Sequence, residues 1–237
     1  MNMHNKKMKN ALNYLSRDKM SHVDMLQSIA SQKSDIILAT NYGVLLHDKR
    51  ANLYLLSVDS KSNMNEFLDK FSSPQLLSVH QDFLADEISK RFGLSISMVC
   101  KQAVWGSSLD SSHLEYAIIQ PLNIQHLDKV YALYSHKIGK KYLQKRIQSN
   151  NLFGYFENDE LVAFIGLHEE GSMGMLEVKS EFRNRVIGSK LLLWLVNELI
   201  EHKKVPFSQI EIDNQTSYLL HEKLGFEFSD GFVYWLE

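Results

Sequence analysis

Two arginines stand directly before a predicted helix in the second half of the chain. Residues 176–190 indicate a strand, a short connection and the start of a helix, and the connection carries Arg183 and Arg185. A helix N-terminus already presents unpaired backbone N–H groups and about half a unit of positive charge. Two further cations are unfavourable there unless an anion neutralises them, and a phosphate or pyrophosphate group suits such a position. The segment therefore predicts an anion site.

The same segment also fits a simpler interpretation, a solvated basic turn with Glu181 as its local counter-charge. The other end of the predicted helix carries His202, Lys203 and Lys204, and Pro206 follows. Cations suit a helix C-terminus, and a proline shortly after it marks the stop. The pattern thus predicts a helix over residues 186–202 in which only the N-terminus is electrostatically unbalanced.

Other chemistries find little support in the residue pattern. The sequence contains no Ser-His-Asp spacing, HExxH, Walker loop or EF-hand loop, and its ten histidines are scattered, so we predict no metal site. Cys100 is the one cysteine, which excludes an internal disulfide and suits a reducing compartment. Because Cys100 follows the apolar run of residues 96–99, we expect an inert thiol.

Composition narrows the class of protein. In 237 residues, 44% are hydrophobic and 23% charged, which is typical of globular proteins with a substantial core. A net charge of −2 gives no basic footprint for nucleic acid. The N-terminal residues lack the apolar core of a secretory signal, and the longest apolar run, residues 191–196, is too short for a membrane helix. We expect a cytoplasmic monomer or homodimer without nucleic-acid or membrane partners.

The elements that must position the basic segment follow from apolar periodicity. The first part of the chain predicts a mixed α/β unit. Its predicted helices cover residues 7–17, 20–31, 63–71 and 82–92, and its predicted strands cover residues 35–40, 43–47, 53–58, 76–79 and 97–104.

A small, polar stretch, GSSLDSS at residues 106–112, predicts an interdomain linker. After it, residues 152–157 and 161–168 predict a hairpin around Asn158 and Asp159. The other predicted strands are 114–119, 173–179, 209–212 and 233–236, and the other predicted helices are 124–135, 140–149 and 217–224.

The order of elements after the linker resembles the GNAT superfamily of acetyl-CoA-dependent N-acetyltransferases. The segment LEVKSEFRNRVIGSKLL looks like the family's pyrophosphate-binding motif, Q/R-x-x-G-x-G/A, matched at residues 183–188. Downstream, NQTSYLLHEKLGF looks like the N-x-x-S/A…Y-x-K-L-G-F motif near the CoA arm. The two motifs in this order make the resemblance specific, and it extends over residues 114–237. More closely, the chain is similar to a bacterial two-domain subgroup related to glycine N-acyltransferase-like proteins.

The resemblance implies an α/β fold with a mixed sheet. It implies a GNAT domain over residues 113–237, preceded by a smaller α/β domain over residues 1–106, which is a candidate degenerate GNAT-like domain. It also implies acetyl-CoA, or another short acyl-CoA, as co-substrate.

By resemblance, strand residues Leu176, Glu177 and Val178 would bind the pantetheine arm. A backbone N–H near Val178 would stabilise the oxyanion that forms on the thioester carbonyl, although plain sheet core is the alternative for this strand. Asn214 is predicted as a structural or cofactor contact, or as a helix cap. The predicted pyrophosphate-binding residues are Arg183, Asn184, Arg185, Val186, Ile187, Gly188, Ser189 and Lys190.

Val186 departs from the family pattern because it stands where the first glycine is usual. Its branched Cβ limits how closely a phosphate can approach the backbone. Gly188 and the small Ser189 keep the following position open, so we still expect CoA to bind.

The predicted catalytic positions also depart from the family. The position of its frequent general base, a glutamate, falls on Ser172. We take Glu170 as the candidate base, because the turn at Gly171 and Ser172 would bring it to the cleft. Three other carboxylates, Glu169, Glu177 and Glu211, are weaker candidates, and a surface position is the alternative for each.

His221 stands where the family usually has a tyrosine that protonates the departing thiolate. A histidine with an ordinary pKa near 6.5 suits an acid of this kind. The alternative is a surface position on the helix, with water protonating the thiolate.

The residues leave three functions to separate. The first is an N-acyltransferase that moves a short acyl group from acyl-CoA to the amine of a small molecule or peptide, through direct attack and a tetrahedral intermediate. The second is a CoA-binding sensor or scaffold with little catalysis, motivated by Ser172, Val186 and His221. The third is an unrelated α/β interaction protein whose basic turn binds another phosphate compound.

Overall fold

A computed structural model describes residues 3–106, 119–136 and 139–237. Most of the predicted linker and of the strand predicted at 114–119 lies outside these residues. The helices are α1 (Met3–Leu15), α2 (Val23–Ala30), α3 (Met64–Leu68), α4 (Asp82–Phe92), α5 (Leu127–Leu133), α6 (Lys140–Gln148), α7 (Ile187–Glu201) and α8 (Gln215–Leu224). The strands are β1 (Ser34–Ala39), β2 (Gly43–Asp48), β3 (Leu53–Val58), β4 (Leu77–Val79), β5 (Ile96–Trp105), β6 (Ile119–Pro121), β7 (Leu152–Glu157), β8 (Glu160–Leu167), β9 (Met173–Val178), β10 (Phe207–Glu211), β11 (Phe226–Phe228) and β12 (Val233–Leu236). The predicted α/β fold class is confirmed.

The chain divides into two compact units whose boundaries differ from the predicted domains. The first unit contains Met1–Val104, Gln209–Tyr218 and Glu227–Glu237, and the second contains Trp105–Ser208 and Leu219–Phe226. The C-terminal residues belong to the first unit because β12 pairs antiparallel with β4 and β5. Chain order alone carries no signal for this long-range pairing.

The first unit is a mixed sheet with helices on both faces. Its strand order is β1-β2-β3-β4-β12-β5, antiparallel except for the parallel pair β3 and β4. Successive side chains of a strand point to opposite faces. On β2, Leu45 accordingly packs with Phe67 and the helix α4, whereas Val44 and Leu46 pack with α1 and α2. A strand buried on both faces explains why β2 and β3 are nearly continuous apolar runs.

Cys100 lies in β5 and is buried, as its apolar surroundings predicted. Burial, with a smaller contribution from Glu211, raises the pKa of the thiol to about 12. The thiol therefore stays protonated at neutral pH, which confirms the expectation that it is inert.

The second unit has antiparallel strands in the order β9-β8-β7-β6, and Met173 of β9 pairs parallel with Ser208 of β10. Leu152 packs with α5 and α6. The next residue on β7, Phe153, has its ring 4.8 Å from that of Trp194 on α7. Because neighbouring side chains alternate, α7 covers the face opposite α5 and α6.

The predicted hairpin between β7 and β8 is confirmed. Glu157 pairs with Glu160, and the two residues between them, Asn158 and Asp159, have φ of 49° and 64°. Positive φ at both positions is what a two-residue hairpin turn of type I′ requires, and Asn and Asp tolerate it well. None of the helices in the described part of the chain combines the length and apolar character needed to span a bilayer.

Candidate functional site

The connection from β9 to α7 places a set of backbone donors at one point. We name residues 183–189 the α7 entry turn. The first hydrogen bond of α7 runs from Lys190 N to Val186 O, at 3.0 Å. Among the residues that the structure describes, no side chain caps α7, and no backbone carbonyl accepts from the amides of residues 187–189. These amides can therefore bind an anion at the positive end of a 15-residue helix.

The two arginines of the entry turn already have carboxylate partners. Arg185 Nη2 lies 3.0 Å from both carboxylate oxygens of Glu157. Arg183 donates from Nη2 to Glu177 Oε1 at 3.3 Å and from Nε to the Val178 carbonyl at 3.1 Å. These side chains therefore do not require an external anion, contrary to the sequence-based prediction, because Glu157 and Glu177 neutralise them. What supports an anion site is the set of backbone amides.

Gly188 leaves space over the first turn of α7. A Cβ at this position would meet Leu176, Val178 and Leu220 side-chain atoms at 3.8–3.9 Å, which is ordinary van der Waals contact. Neither the packing nor the helical backbone of the protein thus requires a glycine here. The space is consistent with a bound group that needs to approach the backbone closely.

Val186 adopts a backbone conformation that suits glycine. It precedes α7 with φ 56° and ψ 9°, in the left-handed region, and it is 60% exposed. The left-handed conformation costs a branched residue about 1–2 kcal/mol. Strain of this size in an exposed turn, with no packing to gain, points to a functional constraint on the turn.

Met175 is a site feature that the sequence did not reveal. It lies inside β9 with φ 53°, and the pairing of β8 with β9 shifts register between Phe164 and Gly166. Gly174 pairs with Gly166 and Glu177 pairs with Phe164, so the segment of β9 between these pairs is one residue longer than the segment of β8. This extra residue makes a β-bulge in β9. Nothing in the local sequence marks it, because methionine has no preference for positive φ.

The connection between β8 and β9, residues 168–172, joins the two candidate catalytic residues. Ser172 Oγ donates a hydrogen bond to Glu170 Oε1, and the two residues are only 3% and 8% exposed. Gly171, with φ 106°, and a hydrogen bond of 2.9 Å from His168 N to Ser172 O close the turn. The sequence did not indicate that Glu170 and Ser172 are bonded to each other.

The other carboxylates considered as bases have different environments. Glu169 accepts from Arg146 Nη2 at 3.0 Å. Glu177 accepts from Ser135 Oγ at 2.6 Å as well as from Arg183. Glu211 is exposed and belongs to the first unit. Of the four, Glu170 is the carboxylate that combines burial with a hydroxyl partner on the same turn.

His168 and Tyr142 form a pair beside Glu170 that sequence reasoning missed. Tyr142 Oη lies 2.9 Å from His168 Nδ1. A Cβ on Gly174 would lie 2.5 Å from His168 Nε2, so this glycine makes room for the imidazole over β9. Burial lowers the pKa of His168, with Glu170 opposing the shift, and burial raises the pKa of Tyr142. Burial therefore keeps His168 neutral at pH 7.

His221 is buried, which removes the alternative of a surface position. It is 4% exposed, its Nε2 lies 3.0 Å from Ser208 Oγ, and its ring packs edge-on against Phe226. Its neighbour Leu220 is the α8 residue nearest to the space over Gly188. The sequence did not indicate the burial, because histidine is itself polar and the polar Glu222 and Lys223 follow it.

Asn214 caps α8, since its Oδ1 accepts from Ser217 N at 3.0 Å. This bears out the helix-cap alternative for that residue. Among the described residues there is no group of three or more histidine, cysteine or acidic side chains that could hold a metal ion.

Residues 153–236 match the family described as FR47-like protein. The chain is similar in structure to a Drosophila protein solved by a structural genomics consortium, with a TM-score of 0.68, 14% identity, and coverage of 99% of this chain and 96% of that chain. It is similar to a GCN5-related N-acetyltransferase-like protein from Streptococcus suis, with a TM-score of 0.58, 10% identity and 98% coverage of both chains. The family match lies within the second half of the chain, and the likeness to solved structures shows that the chain has the GNAT fold.

A third similar structure is an acetyltransferase of the GNAT family from Colwellia psychrerythraea, with a TM-score of 0.55, 14% identity, and coverage of 95% of this chain and 96% of that chain. At these identities the likeness establishes the GNAT fold, and it extends over both compact units. No curated protein matches the chain.

Proposed function

We propose that this protein of GNAT fold transfers a short acyl group, acetyl in the first instance, from acyl-CoA to the primary amine of a small molecule or peptide. The observation that carries the proposal is the α7 entry turn, with uncapped amides and a glycine that the protein's own packing does not need. A pyrophosphate supplies the anion that such a turn favours.

The cofactor-binding residues keep their predicted roles in this proposal, except that the Lys190 amide already donates to Val186 O. Residues 183–189 border the pyrophosphate, which the amides of residues 185–189 bind. The strand residues Leu176–Val178 border the path of the pantetheine arm. The acyl-CoA supplies the activated carbonyl. An amide near Val178 stabilises the negative charge that develops on the carbonyl oxygen, a contribution of a few kcal/mol in well-formed sites.

The amine nitrogen attacks the carbonyl carbon, the new C–N bond forms, and the C–S bond breaks. We assign the amine proton to Glu170, with Ser172 orienting the carboxylate. Because an alkylammonium has a pKa near 10.4, a base is needed at neutral pH. His221, or water in its place, returns a proton to the thiolate.

A CoA-binding sensor is the second candidate, and His221 favours it specifically. His221 is buried and its Nε2 is engaged with Ser208, so this nitrogen is already occupied when a thiolate needs a proton. In this reading the turn binds CoA and little transfer follows.

Thiol release during a screen of amines, amino acids and peptides tests the proposal, with calorimetric titration of acyl-CoA alongside. We expect binding and amine-dependent release. Binding without release from any class of amine would favour the sensor, and absence of binding would refute both. Glu170→Gln should then lower kcat with little change in acyl-CoA affinity, and Glu160→Gln, which removes an exposed carboxylate on β8, is the matched control.

A subgroup, a location and an oligomeric state complete the proposal. We keep the two-domain subgroup related to glycine N-acyltransferase-like proteins, a cytoplasmic location, and a monomer or homodimer as predictions. The domain limits of 1–106 and 113–237 also stay predictions for how the chain would be dissected.

A further inference from the structure

A second concentration of polar groups lies inside the first unit, around the buried hydroxyl of Ser57. His22 Nε2 lies 2.9 Å from Ser57 Oγ, Tyr14 Oη lies 3.1 Å from it, and Gln81 Nε2 donates to it at 3.0 Å. His22 Nδ1 is 3.3 Å from the Leu15 carbonyl. Both ring nitrogens of His22 therefore have partners, and the hydroxyl has its full complement of contacts.

His80, beside this cluster, has unused hydrogen-bonding capacity. It is buried, and its ring centre lies 5.1 Å from that of His22. Its Nε2 is 3.2 Å from Asp24 Oδ2, but the geometry is not that of a hydrogen bond. Within the described ranges, neither ring nitrogen of His80 has a hydrogen-bond partner. A buried polar group without a partner is costly, so a ligand that supplies one is favoured.

A cavity of about 200 Å³ opens next to His80. We name it the histidine cavity. Its lining is Asp18, Ser21, His22, His80, Gln81, Gly231, Phe232 and Val233. All of these residues belong to the first unit.

The charges around the histidine cavity are those of a cation site. Asp18 lines it, and the buried Asp24 lies behind His80. No lysine or arginine belongs to the lining as the structure describes it. Lys101 lies over the Phe232 ring at 5.5 Å but is not part of the lining. Two carboxylates against one half-buried lysine at the margin disfavour an anion.

The kind of cation follows from the donors and acceptors. Among the described residues no cluster of three metal-ligating side chains exists, so a metal ion is not favoured. If His80 Nε2 carries the ring proton towards Asp24, Nδ1 presents a lone pair, and Asp18 presents a carboxylate. Two acceptors and an aromatic ring suit an ammonium group, which has three donors and a positive charge.

We propose that the histidine cavity binds a small organic ammonium ion, the protonated form of a short primary amine, through Asp18 and His80. The site is separate from the α7 entry turn in the chain, and the inference does not depend on acyltransferase activity. It gives the first unit a ligand of the same chemical class as the proposed acyl acceptor.

Ethylammonium chloride is the probe, with ethanol as its neutral match and sodium acetate as its anionic match. Binding to the full chain is followed by calorimetry and by the ¹⁵N signals of the labelled imidazole of His80. We expect ethylammonium to bind and to shift the His80 signals, and ethanol and acetate to leave them unchanged.

Asp18→Asn is the informative variant, because the amide oxygen keeps the hydrogen bond that Asp18 Oδ1 accepts from Ser21 N and removes only the charge. It should weaken ethylammonium binding by about tenfold, the worth of one charge-assisted hydrogen bond. Asp35→Asn, at an exposed carboxylate paired with Lys49, is the matched control and should change nothing.

Three outcomes would overturn the proposal. They are binding of acetate in preference to ethylammonium, equal affinity in wild type and Asp18→Asn, and absence of ethylammonium binding to the folded chain. Because none of these measurements uses acyl-CoA, each leaves the proposed acyltransferase function standing.

Discussion

The α7 entry turn and the histidine cavity are both sites where polar groups lack partners, and they have opposite polarity. The entry turn presents backbone N–H donors at the positive end of a helix. The histidine cavity presents carboxylate and imidazole acceptors with no basic residue in its described lining. Because their polarities are opposite, the entry turn favours an anion such as pyrophosphate, and the histidine cavity favours an ammonium ion.

The two regions also differ in burial and in backbone strain. The entry turn is exposed and carries local strain at Val186, whose left-handed backbone nothing in the packing requires. The cavity adjoins a buried network in which the Ser57 hydroxyl forms hydrogen bonds with three side chains. Changes at the turn should therefore act mainly on binding, whereas changes at the cavity should act strongly on stability.

The largest effect is expected from pH at the buried cluster. Burial, and secondly the neighbouring His80, lowers the pKa of His22 from 6.5 to about 4. As pH falls, the unfolded chain binds the proton first, so the stability from neutral His22 is complete above pH 6.5 and is lost as pH falls towards 4. The difference amounts to about 3 kcal/mol. Urea denaturation across this pH range measures it.

His22→Gln should flatten that pH dependence, whatever its effect on stability at pH 7. The control is His47→Gln, which removes a histidine from an exposed contact with Asn52 and should keep the wild-type slope. If the stability of His22→Gln depended on pH as steeply as that of the wild type, protonation of His22 would not be the cause of the pH dependence.

Gly188→Ala should separate binding from stability at the entry turn. We expect acyl-CoA affinity to fall by about tenfold or more, about 1.4 kcal/mol, because the added methyl fills the approach to the backbone. Unfolding should be unchanged or up to about 1 kcal/mol less favourable, because alanine is the better helix former and its Cβ fits. Calorimetric titration and thermal melting measure the two quantities.

Gly139→Ala is the matched control for this variant, because a Cβ at Gly139 meets nothing within 4 Å and the residue precedes α6. It should leave acyl-CoA affinity at the wild-type value. Equal affinity in Gly188→Ala and wild type would remove the entry turn as the anion site.

Val186→Gly should release the strain in the turn. The left-handed backbone that costs valine about 1–2 kcal/mol costs glycine little, and part of this gain is offset by the greater chain entropy of glycine when unfolded. A net stabilisation of about 0.5–1 kcal/mol is expected in thermal melting, with tighter acyl-CoA binding. Asparagine also tolerates positive φ, so Val186→Asn should likewise raise the melting temperature. If both variants were less stable than the wild type, the backbone at Val186 would not be strained.

Arg185→Ala should have the smallest effect on stability. The ion pair with Glu157 is at the surface, with the Arg185 side chain 51% exposed, and such pairs contribute about 0–1 kcal/mol. If the arginine also draws an anion to the turn, acyl-CoA affinity should depend less on salt in the variant. Titration of acyl-CoA at two ionic strengths measures the salt dependence. If Arg185→Ala failed to fold, the ion pair with Glu157 would contribute more to stability than expected.

Much of the fold was predictable because its elements are locally encoded. The β7–β8 hairpin follows from Asn158 and Asp159 in a two-residue turn, and α7 follows from its apolar periodicity and the basic residues that come directly after it. By contrast, the pairing of β12 with β4 and β5 joins residues far apart in sequence. No local pattern specifies a strand's partner.

The candidate site divides in the same way. From its sequence alone the protein can be assigned a GNAT-type turn between a strand and a helix, with Gly188 inside it, because motif spacing and helix polarity are local properties. Only the tertiary structure decided that Glu157 and Glu177 neutralise the arginines, that His168 meets Tyr142, and that His221 and His80 are buried. Charge neutralisation and burial depend on which distant residues the fold brings within a few ångströms, and residue order does not contain that information in any local form.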